Sequence, residues 1–137
     1  MPVKTIEEIK LKLEQPSDNA QVVMMTRNLA RTVGFDLTGQ FLIACAVSEL
    51  STNIIRHVGR GQIILRMVQK DRVLGLEVEA RDQGPGIEDI EKALQDHYST
   101  KKGLGLGLSS VKRIMDYFHI QSAPNQGTVI RAGKWQS

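Results

Sequence analysis

Between Val73 and Ala80 the chain alternates Leu74, Leu76, Val78 and Ala80 with Gly75, Glu77, Glu79 and Arg81, and it then runs directly into Asp82-Gln83-Gly84-Pro85-Gly86. A period of two over this length specifies a strand with one apolar and one polar face, and a Gly-Pro-Gly turn ends it abruptly. The run from Gln62 to Val68 also has strand character, and Gln69-Lys70-Asp71-Arg72 joins the two as a β-hairpin. Any fold for this chain must therefore place a hairpin at its centre and present Asp82 at a strand end.

The flanking segments complete the pattern. Residues Ile6 to Leu13 nearly alternate apolar with charged side chains, as a half-buried strand does. Gln15-Pro16-Ser17-Asp18-Asn19 supplies a turn and a helix cap, a helix is expected over Ala20 to Val33, and Gly34 is its C-cap. A second helix starts at Asp36 or Thr38, carries Phe41, Leu42, Cys45, Ile54, Ile55 and Val58 at helical spacing, and ends before Gly59-Arg60-Gly61. A short helix over Ile87 to Leu94, a loop over Asp96 to Leu106, a helix over Gly107 to Phe118 and a hairpin over Ile120 to Trp135, turning at Pro124-Asn125-Gln126-Gly127, follow. The expected fold class is α+β: a two-layer α/β sandwich, helices on one face of a mixed or antiparallel sheet, in one domain spanning residues 1–137.

Composition narrows the function classes. Hydrophobic residues at 41% and charged residues at 24% are those of a globular chain. Eighteen Lys and Arg against 15 Asp and Glu give +3, spread along the chain, which argues against nucleic acid and for a local anionic ligand near Lys101 and Lys102. No apolar run approaches the roughly 20 residues of a membrane span, and the single Cys45, in an apolar run, reads as a small core residue of a cytoplasmic protein.

Three segments carry candidate chemistry. Glu49 and Asn53 lie four apart and so share a helix face. Asn53 offers a neutral oxygen ligand to magnesium, while Glu49 can order water or act as general base. Asp82 at its strand end can accept from an exocyclic amine such as that of adenine, with Gly84 and Gly86 freeing the backbone for close approach. Gly103, Gly105 and Gly107, preceded by Lys101 and followed by a helical pattern, can cradle phosphates. That run is neither a dinucleotide-binding fingerprint nor a P-loop, since no strand precedes it and it lacks the Lys-Ser/Thr ending. Taken singly, each segment has a plainer reading: a solvated polar pair, an Asp-led turn, a flexible linker.

Taken in order, the Glu49/Asn53 helix, the Asp82 to Gly86 turn, the Gly103 to Gly107 loop and the late Gly127-Thr128 resemble the ATP-binding boxes of the GHKL superfamily over nearly the whole chain. Ile87-Glu88-Asp89-Ile90, Ser99-Thr100, the Val111 to Asp116 helix and the Lys134-Trp135 end resemble more narrowly the RsbT-type serine/threonine switch kinases of bacterial stressosomes. The resemblance implies a Bergerat fold with helices on one face of a mixed sheet, and the cofactors ATP and Mg2+. It implies Asp82 and Thr128 at the adenine, Gly84 and Gly86 shaping its pocket, Asn53 at the metal, Glu49 as catalytic base, and Lys101, Gly103, Gly105 and Gly107 at the phosphates. STAS-domain antagonist and scaffold proteins are its implied substrates, and a PP2C-type phosphatase its downstream target. Close relatives are expected to have Gly-Phe before Ser99-Thr100 where this chain has His97-Tyr98, so His97 stays outside the site. His57 reads as a surface or cap residue. The length leaves no room for the upstream helices of a complete sensor histidine kinase. An anti-sigma factor kinase of the same superfamily and a non-catalytic ATP-gated binding module are the alternatives.

Overall fold

A computed structural model describes residues 2–86 and 107–136. The first strand, β1 (Lys4–Leu13), alternates charged with apolar residues and lies at a sheet edge. Its lysines and glutamates discourage pairing with another chain there. Two helices follow, α1 (Asp18–Val33) and α2 (Leu37–His57), hinged at Gly34, whose φ of 114° closes α1 in the left-handed conformation that glycine adopts without strain. Asp36 caps α2, its Oδ1 accepting from the Gly39 amide at 2.8 Å.

Strands β2 (Gly61–Lys70) and β3 (Val73–Asp82) form the expected central hairpin. After the segment outside the described residues come helix α3 (Leu108–Ile114) and the hairpin of β4 (Tyr117–Ser122) and β5 (Thr128–Trp135). The sheet order is β1-β2-β3-β5-β4, and every pairing among the described residues is antiparallel, where a mixed sheet was expected from the resemblance. Two consecutive antiparallel helices return the chain to the end of β1 it left from, so Gly61 of β2 pairs with Leu13. One crossover helix would have made that pair parallel.

The helices pack on one face of the sheet. Val22, Leu29 and Val33 of α1 and Ile43, Val47, Leu50 and Ile54 of α2 meet Leu13, Ile63, Leu65, Leu76, Val78, Ile130 and Ala132 in one core. Each such side chain contributes about 1.5–3 kcal/mol by leaving water. Phe41 and Leu42, expected on the buried stripe, are instead exposed (61% and 37%), because α2 turns Ile43, Ala44 and Val47 inward. Cys45 is only partly buried and lies outside the core.

The other sheet face is not the solvated surface that alternation implied. Glu77 and Glu79 are 9% and 4% exposed. Arg66 donates to Glu8, Glu77 and Glu79 at 2.8–3.0 Å, Arg81 and Arg131 approach Glu79 at 3.2 and 3.7 Å, and the Tyr117 hydroxyl donates to Glu77 at 2.7 Å. Tyr117 is also why the last helix is shorter than expected. A helix through Phe118 would carry the Tyr117 ring away from Gly133, on which it lies, whereas β4 sets the two opposite each other. Aromatic and β-branched side chains at 117, 118 and 120 favour the strand locally as well.

Candidate functional site

Helix α2 carries a polar line beside its core stripe. Glu49, Asn53 and His57 recur every four residues, so they stack along one face at a rise of about 6 Å per step. Asn53 and His57 line a cleft between α2 and the ends of β3 and β5, while Glu49 stands outside its lining. The α2 face is held against α1 by Asn19, whose amide donates to Ser48 Oγ at 3.2 Å.

Asp82 forms the floor of this cleft, opposite Thr128 in the β3–β5 register. Its Oδ1 accepts from the Gly84 amide at 2.8 Å, and the carboxylate also accepts from the backbone N–H of Thr128. Burial, the larger influence, raises its pKa above the ordinary carboxylate value despite those two bonds. A carboxylate fixed by backbone donors on one side retains lone pairs on the other for an amine.

The turn after Asp82 requires its glycines. A Cβ on Gly84 would fall 2.6 Å from Val58 Cγ2 at the end of α2, and one on Gly86, where φ is 80°, would meet the Ala123 carbonyl. The turn is tied to the β4–β5 loop by Gly127 N–H donating to Gly84 O at 3.0 Å and Asn125 N–H donating to Pro85 O at 2.6 Å. Ser122 Oγ, 2.8 Å from Thr128 Oγ1 and donating to Gly127 O at 3.0 Å, orients the threonine hydroxyl.

Leu50, Ile54, Val58, Ala80, Pro85, Leu108 and Ile130 complete the walls of the cleft. Apolar walls over a single carboxylate floor suit a flat heteroaromatic ring bearing an amino group. The residues therefore fit adenine. Among the described residues no three His, Cys, Asp or Glu side chains converge as a metal cage. Magnesium keeps several waters and is held by one or two protein oxygens together with substrate phosphates. Asn53, on the α2 wall of the cleft, could offer such an oxygen.

Glu49 lies where α3 begins. A Cβ on Gly107, which has φ 79°, would strike its Oε2 and Cδ, so the chain enters α3 directly over this carboxylate. Leu108 and Val111 of α3 are buried in the common core and fix that entry.

The structure thus brings Asn53, Asp82, Gly86 and Thr128 to one cleft, with Gly84 in its wall through Val58, and sets Glu49 beside Gly107 at its margin. Lys101, Gly103 and Gly105 lie outside the described residues, as do His97, the expected helix over 87–94 and the expected loop over 96–106. His57 is placed differently from its reading as a surface or cap residue. It lines the cleft, and the spacing 49, 53, 57 is the signal that finds it. Ser122 was also missed, because a serine two strands away from Asp82 leaves no local pattern.

Residues 14–134 match the family of histidine kinase-like ATPase domains. The chain is 47% identical over 109 residues to the serine/threonine-protein kinase RsbT of Bacillus subtilis, covering 80% of this chain and 82% of that one. It is 36% identical over 99 residues to the anti-sigma F factor of Caldanaerobacter subterraneus subsp. tengcongensis, and 36% identical over 98 residues to that of Thermoanaerobacter sp. strain X514, covering 68% of each chain in both cases.

Proposed function

Because this chain belongs to the family of histidine kinase-like ATPase domains, we propose that it is a protein serine/threonine kinase of a partner-switching module, moving phosphate from ATP to a hydroxyl on a partner protein. The observation that carries this reading is the convergence of Asp82 and Asn53 in one apolar-walled cleft with Glu49 one helical turn beyond Asn53. It orders an amine acceptor, a metal ligand and a base along a single line, which is the order of adenine, phosphates and acceptor hydroxyl in such a transfer.

In this reading Asp82 accepts from the adenine amine and Thr128 closes the base edge. Asn53 holds magnesium, which when bound neutralises phosphate charge. Lys101 and the amides about Gly103, Gly105 and Gly107 hold the phosphates. Glu49 takes the proton of the attacking serine or threonine hydroxyl as its oxygen bonds to the γ-phosphorus and the bond to the ADP oxygen breaks. The partners are STAS-domain antagonist and scaffold proteins, whose phosphorylation frees the kinase to activate a PP2C-type phosphatase in the cytoplasm. The likeness to the serine/threonine-protein kinase RsbT, stronger than that to the anti-sigma F factors, supports the kinase over the anti-sigma alternative.

The test is intact-mass measurement of a STAS-domain partner after incubation with the chain, ATP and magnesium, beside Glu49→Ala. One added phosphoryl group, formed on the order of 10²–10⁴ times more slowly by the variant, is expected. Transfer undiminished in Glu49→Ala removes the base from the mechanism. Capture of a sigma factor in place of a phosphatase moves the chain to the anti-sigma class.

A further inference from the structure

The row of side chains that carries Glu49 and Asn53 continues toward the start of α2. Steps of four back from Glu49 give Cys45, Phe41 and Leu37. Leu42, seven residues before Glu49, lies at nearly the same angle about the helix and about 10 Å along it. This stretch of the helix is not covered. Leu37 is 76% exposed, Phe41 61% and Leu42 37%, and Met24 on α1 is 55% exposed. Four of the six large exposed apolar side chains among the described residues thus lie on the helical layer, the others being Val3 and Ile6 near the amino terminus.

Between the two helices runs a shallow groove lined by Met24, Arg27 and Arg31 of α1 and by Gln40 of α2, which shares a turn with Leu37 and Phe41. Neither arginine forms an ion pair among the described residues. Asp36, the carboxylate at this end of α2, is engaged by the Gly39 amide. An exposed apolar patch rimmed by polar groups marks a contact surface.

Resting on the kinase reading, we propose that this outer surface of α1 and α2 is where the substrate protein docks, through an apolar surface bordered by aspartate or glutamate side chains. Three features select that occupant. The apolar residues lead to Glu49, so a protein seated on them brings its own surface to the carboxylate that receives the hydroxyl proton. Arg27 and Arg31 favour a partner that presents negative charge. A second copy of this chain is the poorer match, since a two-fold contact sets a patch against itself and would oppose arginine to arginine. Phe41, an exposed aromatic ring, is the anchor of the contact, and the arginines steer and orient it.

The test measures phosphoryl transfer to the STAS-domain partner protein as a function of its concentration at saturating ATP. It compares the unsubstituted chain with Leu37→Ser plus Phe41→Ser and with Arg27→Glu plus Arg31→Glu, with ATP affinity and unfolding temperature measured on each. The serine pair is expected to raise KM for the partner by on the order of ten-fold. Its kcat, ATP affinity and unfolding temperature should stay unchanged, because both side chains are exposed and neither lines the cleft. The glutamate pair should raise KM as well and reverse its salt dependence: KM of the unsubstituted chain rises with added salt, and that of the variant falls. Ile6→Ser, which removes an exposed apolar side chain from β1, should leave KM unaltered.

An unchanged partner KM in both double variants overturns the proposal, as does an equal rise in Ile6→Ser. A loss of kcat or ATP affinity without a rise in KM also overturns it, because the effect then belongs to the cleft. If sedimentation finds the unsubstituted chain dimeric and the serine pair monomeric at unchanged partner KM, the surface holds a second copy and the proposal fails. An unsubstituted chain that transfers no phosphate to the partner defeats the kinase reading and this proposal together, whereas transfer indifferent to these four residues defeats the proposal alone.

Discussion

Asp82 is partly buried at the end of β3, and that burial makes its ionisation unfavourable to the fold. Because its pKa is raised, the stability this group contributes is complete below the unfolded value of about 3.9 and is lost as pH rises through the folded value. The unfolding free energy of the unsubstituted chain should thus fall relative to that of Asp82→Asn as the pH climbs above about 4, in urea titrations at a series of pH values. The opposite slope would mean that the carboxylate is stabilised in place. Asp82→Asn should also weaken nucleotide binding by about 1–3 kcal/mol, since an amide facing the adenine amine removes an acceptor from a buried site; equal affinity by calorimetry would take Asp82 out of the adenine role. Gly107 makes a separate demand. Alanine there must hold a left-handed φ and push against the Glu49 carboxylate, so Gly107→Ala should lose roughly 1–3 kcal/mol of stability and lose partner phosphorylation by a larger factor than nucleotide affinity. Phosphorylation at the unsubstituted rate would show that Glu49 does not need its present position. At this scale the sequence was legible where chemistry and spacing coincide, as at Glu49, Asn53 and Asp82. His57 reads as a surface or cap residue when a histidine at a helix end is considered alone, whereas the four-residue spacing of Glu49, Asn53 and His57 is the sign that it shares their face.

Element boundaries failed where a long-range contact outweighed local periodicity. Residues 115–118 continue a helical pattern in the sequence, yet Tyr117 is drawn into β4 by the bare surface of Gly133 and by the Glu77 carboxylate, forty residues away. The outward face of β3 failed for a related reason. Alternation marks Glu77, Glu79 and Arg81 as one polar face, and only the register with β2 and β5 reveals that Arg66 and Arg131 stand over the glutamates as well. Burial of this cluster makes it costly to break. Arg66→Met would leave Glu77 and Glu79, both nearly buried, short of their principal cation, and it should destabilise the chain by on the order of 3 kcal/mol, read as a shift in the urea midpoint. A change under about 0.5 kcal/mol, the scale of an ordinary surface substitution, would show that Arg81, Arg131 and solvent suffice. Nucleotide affinity should be unaffected, because the cluster lies on the sheet face opposite the cleft. Hairpins, helix caps and the Gly34 stop were legible because each depends on residues within a few positions of one another.

At the scale of the molecule, the cleft joins parts far apart in the chain: α2, the end of β3 and the start of β5 each supply one wall, and α3 closes a corner with Leu108. The order of elements was legible and left a mixed or an antiparallel sheet open; the antiparallel closure follows from two helices lying against each other between β1 and β2. A ligand that bridges these walls should stabilise the whole fold, because it binds the folded chain and not the unfolded one. At a concentration one hundred times its dissociation constant the gain is about 2.7 kcal/mol. With an unfolding entropy of about 2.1 cal/mol/K per residue, that corresponds to a rise of roughly 9 °C for a chain of this length. In the proposed function magnesium would enter the same linkage through Asn53. ATP with magnesium should raise the unfolding temperature by about that amount, and chelating the metal should remove the part of the rise that the ion supplies while leaving the part due to adenine and Asp82. In Asn53→Ala the two conditions should then coincide, because the protein oxygen through which the ion acts is absent. If the variant keeps a full magnesium-dependent increment, the ion is held by other groups and Asn53 serves only to line the cleft; if ATP leaves the unfolding temperature of the unsubstituted chain unchanged both with the metal and without it, adenine does not occupy the Asp82 cleft at all.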